Sequence, residues 1–282
     1  MGSGWIQVMC FSYKNNVTNW RMEEMKHGDF TELAKFYGNR PGYSKVVLEC
    51  LKNHVFNTVG EGKVADIGAG TGKLTENLAE IGLSGFAVEP NEAMREEAAK
   101  SVCGVFSWSE GYAETTGLKD NCVNWALMGS SFHWADSKLA VKEFYRILVP
   151  GGFFTAIWNP RDIESSELHM RIEEAVYSEV PSMKRVSSGK SISTEEMKEK
   201  LLTGGYFKDI LFVEAPHTEI MTKERYMNTW KSVNDIQVQA GEEGFRRILD
   251  KIESIVSEFD EIEVPYRSRS WTVQSCKKAE GN

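Results

Sequence analysis

The stretch that decides the fold is Val64-Ala65-Asp66-Ile67-Gly68-Ala69-Gly70-Thr71-Gly72-Lys73-Leu74-Thr75. Its apolar beginning, Val64 to Ile67, predicts a buried strand, and the residues from Lys73 onward have the apolar spacing of a helix. The three glycines between them allow positive φ angles and the close approach of a ligand to the backbone. A strand, a glycine turn and a helix in this order predict a nucleotide-like ligand against the helix N-terminus.

The spacing of the glycines separates this turn from two other nucleotide-binding motifs. The dinucleotide fingerprint is G-x-G-x-x-G, and Lys73 occupies its third glycine position. A P-loop requires G-x-x-x-x-G-K-[ST], but Leu74 follows Lys73 and no glycine stands five positions before Gly72. The pattern that does match is D-x-G-x-G-x-G, formed by Asp66, Gly68, Gly70 and Gly72.

This pattern resembles motif I of the class I S-adenosylmethionine (SAM) dependent methyltransferases. The resemblance covers the residues from Tyr37 to Trp158. Within the class, this part of the chain resembles the broad type-11 group of small-molecule methyltransferases. It implies an α/β, Rossmann-like class I methyltransferase fold, with a mostly parallel sheet, an antiparallel last strand and a helical cap. A glycine-rich turn in some other α/β protein is the alternative.

The implied organisation has three parts. Residues 12–60 are expected to form N-terminal cap helices, 61–160 the SAM-binding core, and 161–282 the rest of the core with a helical insertion around 222–260. Apolar runs and turn residues predict strands at 86–88, 105–108, 123–128, 153–158, 206–214 and 271–273. Helices are expected at 30–37, 92–102, 138–148, 161–180, 195–202, 222–233 and 242–259.

Composition excludes some partners. The 282 residues carry a net charge of −8, which argues against nucleic acid as the main partner because such binding relies on Lys and Arg. The five cysteines are scattered without a C-x-x-C pair, as expected in a reducing cytoplasm. The sequence shows neither a signal peptide nor an apolar run that could span a membrane, and no carboxylate cluster for a metal.

The segment from Phe36 to Tyr43 resembles an element with Tyr, Arg-Pro and Tyr that precedes motif I in many small-molecule methyltransferases. The resemblance implies that Tyr37 and Arg40 close over SAM. An arginine is suited to bind the methionine carboxylate of SAM through two parallel hydrogen bonds. The alternative is an ordinary surface arginine and a core tyrosine.

Two further segments are expected to bind the adenosine part of SAM. Glu89, followed by Pro90, lies 21 residues after Gly68 at the end of the second strand, where an acid accepts from ribose hydroxyls. A solvated acid is the alternative, and NAD-binding proteins place an acid similarly. Ala113 and Glu114 resemble the segment that holds adenine in this family. The resemblance implies that the Ala113 backbone N–H donates to a ring nitrogen of adenine and that the Glu114 carboxylate accepts from the exocyclic amine.

The loop after the fourth strand, from Gly129 to Trp134, is where the chemistry is expected, at the carboxyl ends of the central strands. Gly129 is assigned to the SAM site and His133 to the general base, because imidazole suits that role near neutral pH. Alternatively, His133 packs beside Trp134 or contacts SAM through its backbone. The acceptor pocket is assigned to aromatic residues, namely Trp134, Trp158 and Tyr43.

The leading hypothesis is a SAM-dependent methyltransferase that acts on an oxygen or nitrogen of a small molecule. The loop lacks the N/D-P-P-Y segment by which methyltransferases of adenine and glutamine resemble one another. Three alternatives stay open: an RNA or protein methyltransferase, a SAM-binding protein without catalysis, and a nicotinamide oxidoreductase.

Overall fold

The computed structural model describes residues 34–100, 104–184 and 189–279. In these ranges the strands are β1 (Val64–Ile67), β2 (Gly85–Val88), β3 (Phe106–Ser109), β4 (Val123–Gly129), β5 (Leu148–Trp158), β6 (Phe207–Thr222) and β7 (Glu261–Ser275). The α-helices are α1 (Ala34–Tyr37), α2 (Lys45–Val59), α3 (Lys73–Glu80), α4 (Glu92–Ala98), α5 (Ser137–Ile147), α6 (Glu167–Glu179), α7 (Thr194–Leu201), α8 (Lys223–Lys231) and α9 (Asn234–Ile255).

The strands form one sheet in the order β3-β2-β1-β4-β5-β7-β6. Strands β1 to β5 pair in parallel, whereas β7 lies antiparallel between β5 and β6. The strand order reverses between β1 and β4, so the loops at the carboxyl ends of these two strands flank the crevice where ligands bind in such sheets. The predicted Rossmann-like methyltransferase fold with an antiparallel last strand is confirmed.

The sheet is covered by apolar side chains on both faces. All four residues of β1 are buried, which explains why its sequence is an unbroken apolar run apart from Asp66. One face packs against α2 and α3 through Leu51, Leu78 and their neighbours. The other face packs against α5 and α7, with Phe144 stacked on Phe154 at 4.4 Å between ring centres.

The ribbon of β6 and β7 extends far beyond the strands predicted at 206–214 and 271–273. Its outer part alternates exposed and buried residues, so it contains no apolar run that would reveal a strand in the sequence. Helices α8 and α9 connect the two strands and pack with α6 around Trp230, Ile248 and Val264. This third apolar cluster gives the helices at the ribbon's end, called here the cap, a core of their own.

Several predicted helix boundaries are wrong. Helix α4 ends at Ala98 instead of reaching Val102, and residues 101–103 lie outside the described ranges. Helix α6 begins at Glu167 because Ser166 caps it, whereas Arg161 pairs with Tyr266 of β7. Helix α9 begins at Asn234 and is kinked at Gly241.

Other predictions fall partly or wholly outside the described ranges. The predicted N-terminal helices over 12–33 lie outside them, and the division into parts at residues 60 and 160 stays a prediction. Among the helices that the structure describes, none combines the length and apolar character needed to cross a membrane.

Candidate active site

All three glycines of the turn between β1 and α3 have left-handed backbone conformations. Gly68, Gly70 and Gly72 have φ angles of +66°, +56° and +88°, which L-residues with a side chain rarely adopt. A Cβ atom on Gly68 would lie 2.9 Å from the Ser131 hydroxyl oxygen, so glycine also permits the loop after β4 to approach. The turn therefore packs directly against the segment in which the catalytic loop was predicted.

Asp66 lies beneath this turn and is fully buried. Its Oδ2 accepts a hydrogen bond of 2.6 Å from the Thr75 hydroxyl, while its Oδ1 has no partner among the described residues. Burial raises the pKa of this carboxyl from an ordinary 3.8 to about 7, because ionisation is costly away from water. Asp66 thus ties β1 to α3 and keeps one acceptor atom available.

Glu89 lies at the end of β2 and holds the glycine turn in place. Its two carboxylate oxygens accept from the backbone N–H groups of Gly70, at 2.8 Å, and Asn91, at 2.9 Å. Burial raises its pKa, and these two N–H donors offset part of that effect. Because each oxygen has a second lone pair, the carboxylate still has capacity to accept from ligand hydroxyls.

His133 lies in a short 3₁₀ turn, Phe132–Trp134, after β4. Its ring centre is 4.7 Å from that of Trp134 and 6.2 Å from that of Trp158. Both ring nitrogens are buried without a hydrogen-bond partner among the described residues. Burial lowers the pKa of His133 from 6.5 to about 4, and the positive charges of Lys200 and Arg40 add to this effect. The ring is therefore neutral at pH 7 and has two open nitrogens.

Tyr43 reaches the same edge of the sheet from the N-terminal side. Its hydroxyl is 3.0 Å from the Ser130 hydroxyl, and burial raises its pKa. A Cβ atom on Gly129 would lie only 2.6 Å from the Tyr43 oxygen. Glycine at the end of β4 is therefore required for this contact.

The loop around Arg40 is fastened to the cap. The Arg40 guanidinium stacks 3.8 Å from the Tyr37 ring centre and donates to the hydroxyl and carbonyl oxygens of Ser232, at 3.0 and 2.8 Å. Glu219 of β6 accepts from the Gly42 backbone at 3.1 Å and from Arg225 at 2.8 Å. These bonds hold the N-terminal loop against the cap beside the carboxyl edge of the sheet.

Comparison with known proteins agrees with this geometry. Residues 65–156, which include the glycine turn, Glu89 and the His133 loop, match the family described as methyltransferase domain. An uncharacterised methyltransferase of Schizosaccharomyces pombe is 27% identical over 239 residues, covering 80% of this chain and 87% of that protein. Residues 65–156 are thus similar to a methyltransferase domain, in agreement with the motifs in this part of the sequence.

Two further similar proteins match this chain over different lengths. An uncharacterised methyltransferase of Mycobacterium tuberculosis is 40% identical over 100 residues, and the match spans 36% of this chain and 41% of that protein. The solved structure of a protein from Anaeromyxobacter dehalogenans, described as a type II methyltransferase, superimposes with a TM-score of 0.59 at 19% identity. It covers 83% of this chain and 97% of that one, which shows a shared fold.

The fold brings most of the predicted residues to one edge of the sheet. The glycine turn, Glu89, Gly129, Tyr43 and His133 all lie there, at the carboxyl ends of β1, β2 and β4. Pro90 follows Glu89, and its carbonyl oxygen accepts from Arg95 at 2.9 Å.

Three of the predicted site residues already contact other residues of the protein. Glu114 accepts from the Asp136 backbone N–H at 2.6 Å, beside a buried Ala113, so its carboxylate already links two loops. The Nε–Nη2 edge of Arg40 is used by Ser232, which leaves the opposite edge of the guanidinium for a ligand. Trp158 is only 1% exposed and packs edge-on against Trp271 at 5.8 Å, behind His133.

The residues that position this site could not be predicted from the sequence. Ser232 contacts Arg40 across 192 residues of chain, and Asn159 donates to the Gly42 carbonyl oxygen at 2.7 Å across 117. Such partners share no motif and no spacing with the residues they hold. Within the described ranges, no group of three or more His, Cys, Asp or Glu side chains is arranged to bind a metal ion.

Proposed function

We propose that the protein transfers the methyl group of SAM to an oxygen or nitrogen of a small molecule. The observation that carries the proposal is His133, whose two ring nitrogens are buried and have no hydrogen-bond partner among the described residues, in the loop that follows β4. The turn, the acid at the end of β2 and this open histidine fit a cofactor with ribose hydroxyls and a donor group near the β4 loop.

The chain's residues would hold SAM along the edge of the sheet. Glu89 accepts from the ribose hydroxyls while it keeps the Gly70 N–H in place. Ala113 and Glu114 contact adenine, and the open edge of Arg40 binds the methionine carboxylate above Tyr37. SAM supplies a methyl group that is already activated on a sulfonium. The protein's task is therefore to orient the acceptor and exclude water.

His133 acts as the base when the acceptor is a hydroxyl. Its pKa of about 4 keeps the ring neutral at pH 7, so a ring nitrogen is ready to accept the hydroxyl proton. The same low pKa makes His133 a weak base, so proton transfer suits an acceptor whose own pKa falls as the new bond forms. For an amine with a free lone pair, His133 and Trp134 only orient the acceptor.

The bonds between the N-terminal loop and the cap support a small acceptor over RNA or protein. Arg40 to Ser232 and Gly42 to Glu219 join the segments that border the carboxyl edge of the sheet. An acceptor must reach His133 between segments that are bonded to each other, which suits a small molecule. The net charge of −8 also disfavours nucleic acid. A cytoplasmic location stays a prediction.

The test is a titration of the protein with S-adenosylhomocysteine (SAH), the demethylated cofactor, followed by methyl transfer from labelled SAM to a panel of phenols, amines, acids and heterocycles. Binding and turnover are expected. Binding without turnover across the panel would favour the non-catalytic reading, and failure of SAH to bind at high micromolar concentration would refute the proposal. NADH fluorescence and salt-sensitive RNA binding test the remaining alternatives.

A further inference from the structure

The cap contains polar aromatic side chains around one arginine. Arg161 follows the end of β5 by three residues and pairs with Tyr266 of β7 in an isolated antiparallel bridge. Because residues directly opposed in an antiparallel pair share a face, Arg161 and Tyr266 point to the same side. On that side the guanidinium lies 4.0 Å from the ring centre of Trp230 and 5.8 Å from that of Tyr226.

Arg161 differs from the two arginines beside it in its charge balance. Arg267 binds Asp162 at 3.0 Å, and Arg269 binds Glu214 at 3.2 Å. Arg161 forms no ion pair within the part of the chain that the structure describes. Burial disfavours its charge, whereas Tyr266, Tyr226 and, least, Glu173 favour it, so the pKa of Arg161 is raised overall. The groups nearest to this buried guanidinium are thus hydroxyls and rings, and an anionic ligand would give it the charged partner that Arg267 and Arg269 already have.

Three more polar groups around Arg161 are open. The Tyr226 hydroxyl, Trp230 Nε1 and His169 Nε2 form no hydrogen bond of good geometry among the described residues, although their side chains are 0%, 1% and 2% exposed. Burial raises the pKa of Tyr226 to about 12, and the nearby Trp230 N–H offsets part of this effect. Tyrosine and tryptophan can both donate.

The third open group is also a donor. The Ser166 hydroxyl accepts from the His169 backbone N–H and lies 2.9 Å from His169 Nδ1, so we assign the ring proton to Nε2. The open groups are thus three donors around a cation, which is the arrangement that an anion requires.

The cluster lies near the proposed reaction centre. Trp158, the last residue of β5, is 6.2 Å from His133 between ring centres. Only Asn159 and Pro160 stand between it and Arg161, so the Cα atoms of Trp158 and Arg161 lie at most about 10 Å apart. An acceptor that extends from His133 along this segment would reach Arg161.

We propose that Arg161, Tyr226, Trp230 and His169 bind the anionic group of the methyl acceptor, so that the acceptor is a small carboxylic or phosphoric acid. The inference rests on the proposed function for the identity of the ligand as the acceptor. The donors alone require only an anion, and carboxylate and phosphate share that chemistry.

The experiment measures the binding of three probes to the full chain by titration calorimetry, with and without saturating SAH. The probes are 3-(4-hydroxyphenyl)propionate, its neutral amide, and phenyl phosphate. At least one anion should bind at least about tenfold more tightly than the amide. The tighter of the two anions indicates whether the natural group is a carboxylate or a phosphate.

Variants identify the residues. Arg161→Gln should weaken anion binding by about tenfold or more. Arg267→Gln, which removes a paired arginine that neighbours Arg161, should leave it unchanged. Tyr226→Phe should weaken anion binding several-fold and yet raise the Tm of the ligand-free protein, because it removes a buried hydroxyl that lacks a partner. This opposite pair of changes distinguishes a ligand role from a structural one, even if Arg161→Gln fails to fold.

The outcomes separate this inference from the proposed function. Equal affinity for the amide and both anions, or anion binding that survives both Arg161→Gln and Tyr226→Phe, would overturn the anion site. If anion binding depends on Arg161 but the protein does not bind SAH, the anion site stands. Only the identification of the anion as a methyl acceptor would then be overturned.

Discussion

Replacing the buried carboxyl beneath the glycine turn tests the physical description of the site most directly. Asp66→Asn keeps an oxygen that can accept from Thr75, whose hydroxyl donates at 2.6 Å, and it removes the ionisable group. We expect the ligand-free variant to be more stable than the wild type at alkaline pH, and this advantage to fall as the pH is lowered.

The magnitude follows from the shift in pKa. Burial raises the pKa of Asp66 from 3.8 to about 7, so the folded protein holds a proton that the unfolded chain releases. The stability gained from this proton is present below pH 3.8 and is lost as the pH rises through 7. Each pKa unit corresponds to about 1.4 kcal/mol, so burial of this carboxyl costs roughly 4 kcal/mol at pH 8, where it is ionised, and about 2 kcal/mol at pH 5, where the folded protein must keep it protonated. The advantage of the variant should therefore grow by about 2–3 kcal/mol between these pH values.

Urea unfolding of both proteins, followed by circular dichroism at about pH 5 and pH 8, measures this difference. Asp250→Asn is the matched control, because Asp250 is exposed on α9 and its replacement removes the same charge. A difference between Asp66→Asn and wild type that does not vary with pH would refute the reasoning. The same result would follow if Asp66 were ionised at both pH values.

Three further predictions concern the same edge of the sheet. Glu89→Ala should weaken SAH binding by about 1.5–3 kcal/mol in calorimetry, whereas the control Glu92→Ala, at an exposed position of α4, should not. Equal SAH affinities of Glu89→Ala and the wild type would contradict the assignment of Glu89 to the ribose. For a hydroxyl acceptor, kcat/KM should show no ionisation of His133 near pH 6.5, because its pKa is about 4; a step there that His133→Asn abolishes would contradict this. Gly129→Ala should lower the free energy of unfolding by about 1–3 kcal/mol, because its Cβ would meet the Tyr43 hydroxyl. Combining it with Tyr43→Phe should recover part of this loss, and strict additivity of the two changes would count against the contact.

The sequence by itself determined the parallel half of the sheet and the kind of ligand it binds. Most signals there are local: the apolar run of β1 and the glycines with positive φ act within a few residues of chain. The acid at the end of β2 binds the turn 19 residues away, and its fixed spacing from the glycines is what predicted it. The helix caps Asn91 and Asp136 are local in the same way as the glycine turn, because each accepts from a backbone N–H group at the start of the helix that follows it. Short-range geometry of this kind can be derived from residue type and spacing.

Only the tertiary structure showed the long ribbon and what it positions. Strands β6 and β7 mix polar and apolar residues along their outer parts because one face of the ribbon is open to solvent, and each stabilises the other through pairing that no single segment encodes. The partners of Arg40 and Gly42 come from this ribbon and the cap.

The same holds for the electrostatics of the site. The low pKa of His133 and the open donors around Arg161 depend on burial by segments that are distant in sequence. Residue type fixes which groups can ionise or donate. The folded chain decides which of them are removed from water and left without a partner, because desolvation depends on all the atoms that surround a group.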